Sequence, residues 1–380
     1  MRFLHTADLH LTSPRKAEGT HRLEVLRTLC HMAREYDALV IAGDVFDSAA
    51  EAPALHETVK EILTSINPVP VLIVSGNHDL LRGDNPFDGR YDFGQGINVR
   101  LLAASPFEKI EIAGAVFYGF PFQQSKTTSE LFRELPPPEL SKPRVAVLHG
   151  TPWDIPELSG FAAGAENAEE GGDLIIKNDD LRQARFVYAA LGHIHKPAVW
   201  QAERCTLSFP GAPDAVRITE TEGGTANAVE IDKESKITVT RLPVPGALRA
   251  LRKQFFVFPG GEDEFFDKAD AFLAANGAAF RTGIVVEGIA DLNRVQEHCL
   301  TLGDKWRGLP VPPHFRVRAE QTQDSSSDMI IYTFIRKMQE MSAEEMSDDK
   351  RDFLRRSLVI GWRALTNKPL DPESLTERLI

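Results

Sequence analysis

Val74-Ser75-Gly76-Asn77-His78-Asp79 is the stretch around which this 380-residue sequence is organised. The apolar run from Pro70 to Val74 leads directly into it, which is typical of a buried strand that ends in a tight glycine turn. The turn places an amide, an imidazole and a carboxylate next to one another, and such groups bind metal ions or carry protons. Alone this is a modest indication, and four other stretches give it its meaning.

Apolar runs and amphipathic helical segments alternate through the first part of the chain. The predicted strands lie at 2–7, 38–41 and 71–74, and the predicted helices lie at 22–36 and 55–66. This alternation indicates an α/β layered domain, and in such domains binding sites gather at the carboxyl ends of the strands.

From Leu101 onward short strands dominate, and we expect them to form a second sheet packed on the first. They are predicted at 101–102, 109–112, 115–120, 144–148, 186–191, 198–201, 226–231 and 237–242. The acidic, glycine-containing segment 157–173 is predicted to be a surface loop.

The Pro- and Gly-containing segment Pro243 to Gly246 predicts a domain boundary. Beyond it, strands alternate with helices in a compact α+β pattern, and a serine-containing linker at 321–328 precedes two apolar-striped helical segments within 329–366. We therefore predict domains at 1–246 and 247–322, followed by a linker and C-terminal helices at 323–380. The helical pair either packs on its own domain or docks to a partner helix.

The composition of the chain argues against some classes of function and is compatible with others. The formal net charge is −12, which argues against a protein that holds nucleic acid by charge alone. A metal-dependent enzyme acting on phosphates remains compatible, because bound cations bring their own charge. The three scattered cysteines predict a reduced, cytoplasmic protein, and neither a signal peptide nor a membrane-spanning run is expected.

Polar side chains capable of holding metal ions follow the predicted strands. They are Asp8, His10, Asp44, Asn77, His149, His193 and His195. Any one of them could be an ordinary turn residue or a core histidine, but together they form a set of oxygen and imidazole donors without a thiolate. That set suits manganese, iron or zinc. Seven ligands are too many for one ion, but with one bridging carboxylate they fit two ions about 4 Å apart.

The stretches that carry these residues resemble the five motifs of the calcineurin-like metallophosphoesterases. The motifs are Asp8-Leu9-His10, Gly43-Asp44-Val45-Phe46-Asp47, Gly76-Asn77-His78-Asp79, His149-Gly150 and Gly192-His193-Ile194-His195. Within that superfamily, His5 to Leu11, Phe209-Pro210-Gly211 and the module after residue 246 resemble the SbcD-type double-strand-break repair nucleases. The resemblance implies a four-layer αββα sandwich with an appended α+β cap and C-terminal helices.

The resemblance also implies roles for single residues. One metal ion would be held by Asp8, His10, Asp44 and His195, and the other by Asp44, Asn77, His149 and His193, with Asp44 bridging; manganese is the expected metal. His78 would not be a ligand. It would protonate or stabilise the leaving oxygen, with Asp47 orienting it.

The same resemblance implies DNA as substrate, a homodimer, and an SMC-like ATPase of the SbcC/Rad type bound through the C-terminal helices. Three functions remain open from the sequence: a manganese-dependent DNA exonuclease/endonuclease, a small-substrate phosphodiesterase or phosphatase on the same core, and a metal-free scaffold. The extra module and helices favour the nuclease, since a small substrate does not require them.

Overall fold

The computed structural model describes residues 1–16, 18–83, 85–139, 141–153, 173–321, 329–342 and 348–365. The chain forms two compact units, Met1–Ala250 and Leu251–Ile380. Of the predicted acidic loop only residue 173 is described, and of the predicted linker only residue 321; the rest of both lies outside the described residues.

The first unit contains two six-stranded sheets. Sheet 1 has the order β14-β13-β1-β2-β3-β4, in which β1 to β4 are parallel and β13 and β14 are antiparallel additions beside β1. Its strands are β1 Arg2–Thr6, β2 Ala38–Ala42, β3 Val71–Val74, β4 Val99–Leu101, β13 Thr225–Ile231 and β14 Ile237–Pro243.

Sheet 2 has the order β11-β12-β10-β7-β6-β5, with a parallel centre and antiparallel outer pairs. Its strands are β5 Glu108–Ile112, β6 Ala115–Gly119, β7 Arg144–His149, β10 Phe186–Gly192, β11 Ala198–Ala202 and β12 Cys205–Phe209. A short parallel pair follows β7 and consists of β8 Thr151–Pro152 and β9 Ile175–Ile176.

Helices cover the outer faces of the two sheets. They are α1 Gly19–Ala33 and α2 Ala52–Thr64 on sheet 1, and α3 Thr128–Leu131 and α4 Asn178–Gln183 on sheet 2. Alternation along β1 shows how the layers form, because Leu4 joins the core under the helices while Phe3 packs edge-on against Phe117 and Tyr188 of sheet 2. The predicted αββα sandwich is therefore confirmed.

One strand assignment was wrong. The sequence suggested that β13 and β14 belong to the second sheet, but β13 pairs with β1 over Arg2–His5. Without β13, the buried strand β1 would be an exposed sheet edge with unpaired backbone groups. The prediction failed because this pairing joins residues more than 200 positions apart. Strand β12 was also missed.

The second unit has a sheet of order β15-β16-β17, with β18 pairing parallel to the end of β16. Its elements are β15 Arg249–Val257, α5 Glu262–Asn276, β16 Phe280–Ala290, α6 Leu292–Lys305, β17 His314–Val317, β18 Glu320–Gln321, α7 Met329–Ser342 and α8 Asp348–Leu365. Helices α5 and α6 share one core with the sheet, and α7 and α8 share another that contains Ile289 and Phe256. No helix among the described residues is both long and apolar enough to cross a membrane.

Candidate metal centre

The loops that follow β1 and β2 are held together by backbone hydrogen bonds. The Asp8 amide donates to the Gly43 carbonyl at 3.1 Å and the His10 amide donates to the Asp44 carbonyl at 3.0 Å. Asp8, His10 and Asp44 adopt positive φ angles of 57°, 45° and 51°. Non-glycine residues rarely adopt this conformation, and it persists where the surrounding structure enforces it, often at functional sites.

Asp44 lies at the middle of the candidate centre. Its Oδ2 atom is 3.6 Å from His10 Nε2 and 3.4 Å from His149 Nε2, while its Oδ1 accepts a hydrogen bond from the His78 amide at 2.9 Å. The carboxylate therefore faces two separate groups of donor atoms.

The first group contains Asp8, His10 and His195, whose potential ligand atoms lie within 4.8 Å of one another. The Nε2 atoms of the two histidines are 3.1 Å apart. The buried Oδ2 atom of Asp8 has no hydrogen-bond partner among the described residues. An unsatisfied buried carboxylate oxygen is costly, and a cation between it and two imidazole nitrogens would satisfy it.

The second group gathers around the Asn77 amide oxygen. His149 Nε2 lies 2.9 Å from this oxygen and His193 Nδ1 lies 3.2 Å from it. Asp8 connects the two groups, since its Oδ1 accepts from the His193 amide at 2.9 Å. All seven residues predicted as ligands are thus brought to one place, in two groups on either side of Asp44.

Comparison with known proteins agrees with this geometry. Residues 1–213 match the model of the calcineurin-like phosphoesterase family. The chain belongs to this family. The family assignment made from the motifs is therefore confirmed.

Several curated proteins resemble this phosphoesterase. The uncharacterized metallophosphoesterase YhaO of Bacillus subtilis is 29% identical over 243 residues, which cover 58% of this chain and 54% of YhaO. The SbcD component of the nuclease SbcCD from Bacillus subtilis is 29% identical over 265 residues, covering 61% and 66% of the two chains. The DNA double-strand break repair protein Mre11 of Archaeoglobus fulgidus is 25% identical over 256 residues, covering 58% and 52%. The chain thus spans between about half and two thirds of the length of these relatives.

The histidines of the candidate centre in this phosphoesterase are held through the ring nitrogens that point away from it. His195 Nδ1 donates to Glu220 at 2.8 Å, His149 Nδ1 donates to the Ala42 carbonyl at 2.9 Å, and His193 Nε2 lies 3.5 Å from Asp173 Oδ2. Such outer contacts fix the tautomer and orientation of a metal-binding imidazole. Sequence reasoning missed Glu220 and Asp173, because neither follows a predicted strand.

Asp79 organises the turn on which Asn77 and His78 lie. It is fully buried and accepts hydrogen bonds from the amides of Gly76 at 2.8 Å, Phe46 at 2.9 Å and Val45 at 3.3 Å. Burial, together with the nearby Asp44 charge, raises the pKa of Asp79 to about 7. Its carboxyl group joins the loop after β2 to the turn after β3, a role that the sequence did not reveal.

His78 is oriented differently from the sequence prediction. Its Nδ1 lies 2.9 Å from the main-chain carbonyl of Asp47, whereas the Asp47 carboxylate lies 3.6 Å from His10 Nδ1 and 3.8 Å from Lys16 Nζ. The contact with His10 comes first in lowering the pKa of Asp47 to about 2, with burial opposing it. The carboxylate of Asp47 therefore supports His10, and the backbone of Asp47 holds His78.

The charges of the centre favour a bound cation. Burial disfavours protonated His149, but the Asp44 and Asp8 carboxylates and the hydrogen bond to the Ala42 carbonyl together raise the pKa of His149 to about 9. Burial likewise disfavours the Asp44 carboxylate, yet His149 and His10 keep its pKa below the usual range. An ionised carboxylate surrounded by imidazoles is a donor set that fits divalent metal ions, and the family uses such ions.

Proposed function

We propose that this phosphoesterase is a metal-dependent DNA exonuclease/endonuclease of the SbcD type that acts in double-strand-break repair. The observation that carries the proposal is the pair of donor groups sharing Asp44, with His78 beside them. Two-metal centres of this kind suit phosphodiester hydrolysis. The choice of DNA is supported by the similarity to the SbcD component of nuclease SbcCD and to archaeal Mre11.

Two divalent ions, manganese in the first instance and iron or zinc as alternatives, would occupy the centre. Asp8, His10, Asp44 and His195 would hold one, and Asp44, Asn77, His149 and His193 the other. When bound, they would polarise the phosphoryl group and neutralise its developing charge. His78, oriented through its Nδ1, would present Nε2 to the leaving oxygen and stabilise or protonate it.

A small-substrate phosphodiesterase or phosphatase is the second candidate. It is favoured by the net charge of −12, which opposes DNA binding, and by the similarity to YhaO, a metallophosphoesterase without an assigned substrate. A metal-free scaffold is the third, and the convergence of all the predicted donors argues against it.

The deciding experiment compares substrates with the purified full chain in manganese. Linear duplex DNA and bis(p-nitrophenyl) phosphate are each offered, with Asp44→Ala as the control that removes the shared ligand. Cleavage of DNA that is lost in the control supports the nuclease. Hydrolysis of the ester with DNA left intact, even in the presence of the ATPase, supports the small-substrate enzyme instead.

We also propose that residues 247–322 form a cap that contributes to DNA binding. In the second unit, the exposed residues Lys253 on β15 and Arg316 on β17 provide positive charge on an otherwise acidic chain. A homodimer through α2 or the segment after Asp79 completes this proposal, by analogy with the SbcD-type resemblance.

The partner surface that we propose for an SMC-like ATPase is the outer face of α7 and α8. One face of this helical pair packs on its own unit and includes Leu358 and Trp362. For these residues, the expected packing on the chain's own domain is found. Other apolar residues remain uncovered, with Phe353 70% exposed and Met341 43% exposed. Exposed apolar side chains of this size on paired helices suit a hydrophobic partner helix.

A further inference from the structure

The candidate metal centre is built between two sheets, and each sheet supplies part of it. Asp8, Asp44 and Asn77 follow strands of sheet 1, whereas His149 and His193 belong to sheet 2. The distances between these residues therefore depend on how one sheet is placed over the other. A shift of one sheet by even about 1 Å would separate donor atoms that must converge on the same ion.

The layer between the sheets is mainly apolar. It contains Phe3, Val40 and Leu72 from sheet 1, facing Phe117 and Val147 from sheet 2. Apolar contacts are not directional, so each of them defines a relative position less sharply than a hydrogen bond does. The apolar layer alone thus specifies the placement of the sheets weakly.

One buried polar cluster interrupts this layer. His5 and Asn227 are cross-strand neighbours in sheet 1, and Tyr188 and Ser208 lie on adjacent strands of sheet 2. His5 Nδ1 is 2.9 Å from the Tyr188 hydroxyl, and Asn227 Nδ2 donates to Ser208 Oγ at 2.7 Å. Ser208 is also close enough to the Tyr188 hydroxyl to influence its pKa, so the two hydrogen-bonded pairs are neighbours. All four residues are at most 1% exposed.

The cluster is a neutral hydrogen-bonded link. Burial lowers the pKa of His5 to about 3 and raises the pKa of Tyr188 above its usual range, so neither side chain is charged near neutral pH. Hydrogen bonds have preferred distances and angles, and a buried group that loses its partner is costly. Sliding the sheets would break both of these bonds, together with the bond from His149 Nδ1 on β7 to the Ala42 carbonyl on β2.

The cluster lies only a few residues before two of the candidate ligands in the chain. His5 lies on β1, three residues before Asp8, and Tyr188 lies on β10, five residues before His193. These separations correspond to about 10 Å and about 17 Å of extended chain. The cluster therefore restricts the positions that Asp8 and His193 can take relative to each other. These two residues are also joined directly, by a hydrogen bond of 2.9 Å.

From this arrangement we infer that His5, Tyr188, Ser208 and Asn227 are positioning residues that set the placement of the two sheets and thereby the geometry of the metal centre. They do not touch the metal ions or the substrate. The inference rests on the proposed two-metal function. It adds that residues outside the ligand set fix the distances between the ligands.

The test separates metal binding from folding. In the double variant His5→Leu/Tyr188→Phe, apolar groups replace both members of the His5–Tyr188 bond, a change that is often neutral for stability. We expect a thermal midpoint within a few degrees of wild type but Mn²⁺ affinity, measured by titration calorimetry, about tenfold weaker, because donor atoms displaced by about 1 Å no longer converge on one ion. The electron paramagnetic resonance spectrum of the Mn²⁺-loaded protein, which reports the coupling between two ions, should also change.

The matched control is Leu72→Ala, which opens a cavity in the same layer on β3, two strands away from His5. It should lower the thermal midpoint while Mn²⁺ affinity and the resonance spectrum stay as in wild type. If the double variant does not fold, Ser208→Ala replaces it, with a smaller loss of affinity expected.

Mn²⁺ affinity within about twofold of wild type in the folded cluster variant would overturn the inference, because the donor atoms would then keep their placement without the cluster. An equal loss in Leu72→Ala would overturn it as well. These outcomes leave the proposed function intact, because wild type would still bind Mn²⁺. A wild-type chain that binds no divalent ion would instead overturn the proposed function, and the inference with it.

Discussion

His78 donates its Nδ1 proton to the main-chain carbonyl of Asp47 at 2.9 Å, while the Asp47 carboxylate lies beside His10 and Lys16. In this arrangement the backbone orients His78, and Nε2 is the ring nitrogen that remains for the role proposed for it. It also separates two residues that the sequence had grouped as a catalytic pair, and each can be tested alone.

Replacing His78 with alanine should retain metal binding and remove most turnover. His78 belongs to neither proposed ligand set, so Mn²⁺ affinity should change little, whereas loss of a general acid typically slows turnover by about 10²- to 10⁴-fold. Calorimetric Mn²⁺ titration and a DNA cleavage assay measure the two effects. Asn77→Ala is the matched control from the same turn, and it should weaken Mn²⁺ binding. Undiminished cleavage by His78→Ala would exclude His78 from the mechanism.

Replacing Asp47 with alanine should have a much smaller effect than replacing His78. The alanine variant keeps the carbonyl that holds His78 and loses the contacts of the carboxylate with His10 and Lys16, so we expect kcat to fall by about tenfold, the lower end of the range for an outer contact of a ligand. Steady-state kinetics of both variants under the same conditions provide the comparison. A loss as severe as that of His78→Ala would show that the carboxylate, and not the carbonyl, controls His78.

Asp79→Ala should destabilise the first unit strongly. Three backbone amides would lose their acceptor, and each unsatisfied buried group costs about 1–3 kcal/mol, although the costs do not simply add. Urea unfolding of the metal-free protein should therefore show a loss of about 3 kcal/mol or more. Asp88, which pairs with Arg90 at the surface, supplies the control Asp88→Ala, and this variant should unfold at nearly the same urea concentration as wild type. Equal stability of the two variants would contradict the assigned role of Asp79.

Glu220→Ala should weaken metal binding, and Glu222→Ala should not. Glu220 accepts from His195 at 2.8 Å, whereas Glu222 lies in the same loop, is 56% exposed and pairs with Lys196. Removal of an outer contact to a ligand typically costs about 10- to 100-fold in metal affinity. Mn²⁺ titration of both variants tests the difference, and Glu220→Gln, which keeps an acceptor, should fall between wild type and alanine.

The sequence predicted the centre of the fold well, because its signals there are local. The run before Gly76 coincides with β3, and the seven predicted ligands meet because parallel strands bring their carboxyl ends to the same edge. The residues that hold those ligands were not found. Glu220 and Asp173 contact histidines distant in the chain, and neither has a local pattern that distinguishes it from a surface acid.

The sequence also did not predict which strands pair when they lie far apart in the chain. The alternation in β13 predicts a strand but does not reveal whether it joins β1 or the second sheet, since both would bury the same residues. The contact between Asp47 and His78 shows a similar limit. Sequence spacing identified the correct residue, but only coordinates distinguish its carbonyl from its carboxylate.

Two substitutions on α8 should separate folding of the second unit from partner binding. Trp362 is fully buried in the core that contains Ile289, so Trp362→Ala should destabilise this unit by about 3–5 kcal/mol. Phe353 is 70% exposed, so Phe353→Ala should change stability by less than about 0.5 kcal/mol but weaken co-purification with the SMC-like ATPase. Point variants are preferable to deleting 329–380, because deletion would uncover Ile289 and Phe256 and confuse the two effects. Unchanged co-purification of folded Phe353→Ala would remove the outer face of α8 from the proposed partner surface.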